Sequence, residues 1–208
     1  MRPASVAACL AIIVALLAAV ACGIARPPSP SPSAGEASPE SIGPVSAASL
    51  SPSTIAPALP ATVDAALLEV LPASVDGLER QTDSALDAEL ASDPQLASAA
   101  DSFATAVYVD PASGLFAYAS VVELKDGVFG EAFYRDWRTT FDEGACSQAG
   151  GVGGNAEAAI GGHRTFIGTC AGGLRTYHTY LEGKGLLVSI SAPDQRRLGE
   201  RVIEGLLP

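Results

Sequence analysis

Apolar and polar residues follow three regimes along this chain. From Ala4 to Ala21 no side chain is charged. From Gly23 to about Ala61 the composition turns to Pro, Ser and Ala, as in Arg26-Pro27-Pro28-Ser29-Pro30-Ser31-Pro32-Ser33, with no aromatic residue and few bulky apolar ones. Such a segment buries too little surface to offset chain entropy, which predicts an extended, disordered stalk over 22–61. Periodic patterning begins after it. Residues 62–208 have the length of a single domain with its own core.

Within that domain the period changes several times. Ala65 to Leu71 predicts a short helix closed by Pro72. Ser84 to about Ala91 predicts a second, restarting after Asp93-Pro94 and running to Asp101. Phe103–Val109 and Leu115–Leu124 then read as strands joined across the turn signal Asp110-Pro111-Ala112-Ser113-Gly114, a hairpin. Phe129, Phe133, Trp137 and Phe141 recur at every fourth position, placing four rings on one side of a helix that Gly144 ends. A ring stripe of this kind either lines an apolar groove or packs on a sheet, and packing in the core is the expectation here. Arg164–Cys170, Leu174–Leu181 and Leu186–Ala192 form a three-strand meander with short, glycine-rich links. In its last strand Leu186, Val188 and Ile190 alternate with Leu187, Ser189 and Ser191, which predicts one buried and one wetter face. A closing helix over Gln195–Leu207 puts Leu198, Val202 and Leu206 on one side. The sum is an α+β fold, an antiparallel sheet of hairpins and a three-strand meander packed against helices on one face, behind a disordered stalk.

The leader has a chemistry of its own. Arg2 gives a short positive start, and Leu17-Ala18-Ala19-Val20-Ala21-Cys22-Gly23 places small residues directly before a cysteine. This order is the layout of a secretory signal and resembles the lipobox of bacterial lipoproteins. Ala19 stands where that family prefers Leu. The resemblance implies a signal peptide over 1–21, cleavage after Ala21, and lipidation (palmitate included) of Cys22. The protein would then sit on the extracytoplasmic face of the cell membrane, with the lipid at Cys22 as its membrane contact. The alternative is an uncleaved membrane helix, since the run is near the roughly 18–20 residues a span needs.

Charge narrows the partners. The chain carries a formal net charge of −11, and its only lysines are Lys125 and Lys184. No basic stripe with interleaved aromatics is present, so nucleic acid is excluded as a partner. Of four cysteines, Cys9 leaves with the signal and Cys22 takes the lipid. Cys146 and Cys170 then pair most simply as a disulfide in an oxidising compartment.

Candidate chemistry is sparse. The sequence holds no Gly-x-Ser-x-Gly elbow, His-Glu-x-x-His, Walker loop or Ser-x-x-Lys. The run Gly150-Gly151-Val152-Gly153-Gly154-Asn155 follows a helix instead of opening one after a strand, so it reads as an exposed loop inside the disulfide ring and not as a phosphate loop. His163 and His178 are the only histidines, and two such ligands do not make a zinc site. No metal, cofactor or catalytic residue is assigned. His178, Tyr180 and Thr176 share a strand face and, with Arg164, form the candidate ligand-binding patch; an ordinary hydrated sheet face is the alternative. Asp110, Glu123, Asp136 and Glu143 cannot be paired for acid–base work from sequence. The element order is similar to the Mog1/PsbP-like domains of some bacterial lipoproteins, a resemblance that implies a binding role.

Two functions compete. One is a lipid-anchored, non-catalytic module of the cell envelope that binds a partner protein, a glycan or a small ligand. The other is a cell-envelope hydrolase with an unfamiliar site near His163 or His178, which requires a His bonded to a carboxylate and facing a hydroxyl in a cleft.

Overall fold

A computed structural model of the chain describes residues 60–208. The apolar leader, Cys22 and all but the last two residues of the expected stalk lie outside the described residues. The described chain forms one nine-stranded sheet. Its strands are β1 (Thr62–Val63), β2 (Ser74–Val75), β3 (Leu78–Thr82), β4 (Ala100–Asp110), β5 (Leu115–Leu124), β6 (Val152–Ile160), β7 (His163–Cys170), β8 (Leu174–Leu181) and β9 (Leu186–Pro193). The helices are α1 (Ser84–Leu90), α2 (Pro94–Ala99), α3 (Glu131–Cys146) and α4 (Leu198–Glu204), with a 3-10 helix at Ala65–Val70. The strand order is β2-β3-β4-β5-β9-β8-β7-β6, antiparallel at every step, and β1 adds a short parallel pair to β4. The fold is α+β.

Two faces of the sheet are covered, where the sequence suggested one. On the first, Ala104, Ala106, Ala117, Ala119, Val188 and Ile190 are buried against Leu68 of the 3-10 helix, Leu71 just after it, and Leu198, Val202 and Leu206 around α4. Alanines on β4 and β5 leave room for helices to lie close to the strands. On the second face, Phe103, Val122 and Leu187 meet Leu96 of α2 and Tyr134 of α3. The seven residues Leu186–Ala192 of β9 are therefore all buried. The face carrying Ser189 and Ser191, expected to be wet, is roofed by α3 and its surroundings.

The helix starts follow local chemistry. Asp83 caps α1 by accepting from the Ala85 and Leu86 amides. Asp93 caps α2 through the Gln95 and Leu96 amides, and Pro94 supplies a preset first turn. Asp87 ties α1 to the sheet by accepting from the backbone amide and hydroxyl of Thr105. Helix α3 begins at Glu131, so Phe129 lies before it, stacked on Tyr180 with ring centroids 3.5 Å apart. It continues past Gly144 to Cys146 and bonds there to Cys170 at the end of β7, with Cα atoms 5.1 Å apart.

Of residues 150–155, expected as a loop, only Gly150 and Gly151 are one. Val152–Ile160 is an edge strand, paired along its length with β7 and exposed everywhere but Ile160. The meander accordingly has four strands. Gly, Ala and Asn carry no buried–exposed alternation at a sheet edge, so the sequence offered no period to read.

Candidate functional site: an apolar cleft and a buried histidine network

The aromatic stripe is only partly buried against the core. In α3 only Tyr134 and Cys146 are buried, while Phe133, Trp137 and Phe141 are half-buried. These three rings form one wall of a cleft of about 740 Å³. Leu86 and Leu90 of α1 and Leu96 of α2 form the opposite wall. The floor is the second sheet face, where Phe103, Tyr118, Ser120, Val122 and Ser191 line the space. The two short helices, seven and six residues long, flank the cleft opposite α3, and the floor residues Phe103 and Val122 are themselves buried. The expectation of core packing holds in part: Phe133 and Trp137 pack against the buried cluster on this face while they also line the cleft. The volume lies within the range of about 300–1,000 Å³ that suits small-molecule sites.

Polar groups in the cleft are few and placed. Burial pushes the Tyr118 phenol far above its usual titration range, and the nearby carboxylates of Asp87 and Asp83 push it further. It therefore keeps its proton and stands as a donor on the floor. Asp93 and Asp136 are the charged lining residues, and no Lys, Arg or His lines the cleft. Asp136 has Arg135 beside it on the solvent side, 3.5 Å away with both side chains exposed.

Under the C-terminal half of α3 lies a second feature. His178 is fully buried, its Nε2 2.9 Å from Asp142 Oδ1 and its Nδ1 3.0 Å from Ser189 Oγ. Thr176 Oγ1 also donates to Asp142, and the Trp137 indole N–H donates to Ser189 Oγ at 3.1 Å. The chain of contacts runs from the cleft wall to the meander: Trp137, Ser189, His178, Asp142, Thr176. With Ser189 donating to Nδ1, the imidazole proton sits on Nε2 and faces the carboxylate. Burial lowers the His178 pKa; the hydrogen bond and charge of Asp142 oppose this without reversing it. The imidazole is neutral, and each polar atom in the network is matched. Space for this is made by Gly168 on β7, where a Cβ would lie 2.6 Å from an Asp142 carboxylate oxygen.

The sequence-derived patch is split by this arrangement. Thr176 and His178 meet through Asp142 under α3. Tyr180 lies two residues along β8 against Phe129. Arg164 is on β7 near the sheet edge, bonded through Nε to Glu157 at 2.6 Å and 3.8 Å from Glu131. None of the four lines the cleft. The two histidines do not face each other: His163 opposes Ile160, whereas His178 opposes Phe166 and Ser189. Asp142, 36 residues before His178, escaped the sequence reading, since only the crossing of α3 over the meander brings it there. Ser189, read as part of a wetter face, had no partner visible at sequence level. Among the described residues, no three His, Cys, Asp or Glu side chains gather as a metal site, and no helix is long and apolar enough to cross a membrane. No protein-family model, curated protein or solved structure matches the chain.

Proposed function

We propose that this protein is a lipid-anchored binding module of the cell envelope, and that the cleft between α1, α2 and α3 takes a small apolar ligand. The anchoring half of the reading rests on the resemblance of residues 1–22 to a lipoprotein signal, with Cys22 carrying the lipid and the Pro/Ser-rich segment holding the domain away from the membrane. The binding half rests on one observation: three half-buried rings of α3 line an open, largely apolar volume of ligand size. Burying an apolar side chain fully stabilises by about 1.5–3 kcal/mol, so half-buried Phe133, Trp137 and Phe141 each forgo part of that. A ligand filling the cleft recovers part of it.

The reading has a built-in reporter, because Trp137 is the sole tryptophan of the chain. Titration with N-phenyl-1-naphthylamine, an uncharged apolar dye, should shift Trp137 emission to the blue and saturate at one dye per protein. A dye that leaves Trp137 emission unchanged and shows no saturable fluorescence gain refutes the binding site.

A second reading, a hydrolase, draws on the order Asp142–His178–Ser189. That order matches a base oriented by a carboxylate and facing a hydroxyl. Its position argues for a structural role, since Ser189 is fully buried, already accepts from Trp137, and does not line the cleft. A fluorophosphonate probe decides the matter: covalent labelling at Ser189, found by mass spectrometry of the parent and lost in Ser189→Ala, would establish the hydrolase and displace the structural role.

A further inference from the structure

Resting on the cleft as a binding site, we infer that its ligand is an amphiphile with a cationic head. Asp93 and Asp136 are the charged residues in the lining, both exposed at its rim. Two carboxylates therefore stand at the edge of an apolar space whose lining contains no cationic side chain. Low-dielectric walls focus such a field, which draws in cations and repels anions. Arg135 pairs with the exposed Asp136 at 3.5 Å and offsets part of its charge.

The rings supply the complementary half. Phe103, Tyr118, Phe133, Trp137 and Phe141 all line the cleft. An alkylammonium group over such faces is attracted by the ring quadrupoles, most strongly when desolvated. The leucine wall formed by Leu86, Leu90 and Leu96 accommodates a hydrocarbon chain. An anionic lipid, by contrast, would bury its head among carboxylates with no lysine or arginine to pair it, and this is costly.

The test uses the full chain and three probes sharing a decyl chain, each below its micelle concentration: decyltrimethylammonium, decyl maltoside and decanoate. Trp137 fluorescence gives each affinity. The cationic probe is expected to bind about tenfold more tightly than the maltoside, and more tightly again than decanoate, at low salt. That preference should shrink to about threefold or less when sodium chloride rises from about 20 mM to about 500 mM. The same loss is expected in Asp93→Ser/Asp136→Asn, where Ser retains the α2 cap. Equal affinity for the cationic and neutral probes, or tighter binding of decanoate, overturns the cationic assignment and leaves the cleft as an apolar site. No change in Trp137 with any head group overturns both readings. The salt arm on the parent decides the question should the double variant not fold.

Discussion

Breaking the Cys146–Cys170 bridge should cost this domain stability without abolishing its fold. The two sulfurs close a loop with a sequence separation of 24. In the chain-entropy account a loop of that size restricts the unfolded ensemble by about 3.5 kcal/mol. For a domain of this length such a loss lowers the melting temperature by about 10 °C. The core itself is independent of the bridge, since both sheet faces are covered by apolar clusters that involve neither cysteine. Local effects should also appear: Phe141, Gly144 and Ala145 line the cleft just before Cys146, so freeing the end of α3 should weaken dye binding. Guanidinium unfolding with and without dithiothreitol measures the global cost, and thiol counting on unreduced, denatured protein tests the bond itself. Two free thiols from Cys146 and Cys170, or a stability loss below about 1 kcal/mol on reduction, would refute the reasoning.

Three other predictions follow from particular residues. Because His178 is held neutral when folded but titrates near about 6.5 when unfolded, the unfolded state binds the extra proton and stability falls as pH drops below that value. The effect is at most about 2 kcal/mol at pH about 5; the pH dependence of urea unfolding should be correspondingly shallower in His178→Gln, and identical slopes would contradict a neutral, buried imidazole. Gly168→Ala places a methyl against Asp142 and Thr176 and should destabilise by about 1–3 kcal/mol, whereas the same change at exposed, open Gly183 should not, as compared by chemical denaturation. Cys22→Ser should abolish lipid attachment and shift the protein out of the membrane fraction; unchanged processing and fractionation would favour a membrane helix instead.

The strands and helices most legible in the sequence were those with a buried face. The β4–β5 hairpin, β7 to β9 and the split pair α1–α2 each repeat apolar residues at their own period and end on turn or cap residues such as Asp93-Pro94. Two strands at the margins carry weaker signals. The β2–β3 hairpin turns on Asp76-Gly77, both at positive φ, a dipeptide known to favour tight hairpins, yet the strands around it are too short to show a period. Strand β6 is almost wholly exposed and shows none. The site was less accessible than the fold. Four-residue spacing revealed a ring stripe but not whether a neighbour covers it, because that depends on how far α1 and α2 stand from α3. Likewise, Thr176 and His178 were visible as one strand face, whereas Asp142 joins them only through the tertiary crossing of α3.

The claim that the cleft is a ligand site is tested most directly by methyl NMR of the protein titrated with the uncharged dye. The account predicts chemical-shift changes concentrated at the Leu86, Leu90, Leu96 and Val122 methyls and at the Trp137 indole, saturating together with one affinity. Changes confined to exposed apolar residues that do not line the cleft, such as Leu207, or no saturable change at all, would contradict it.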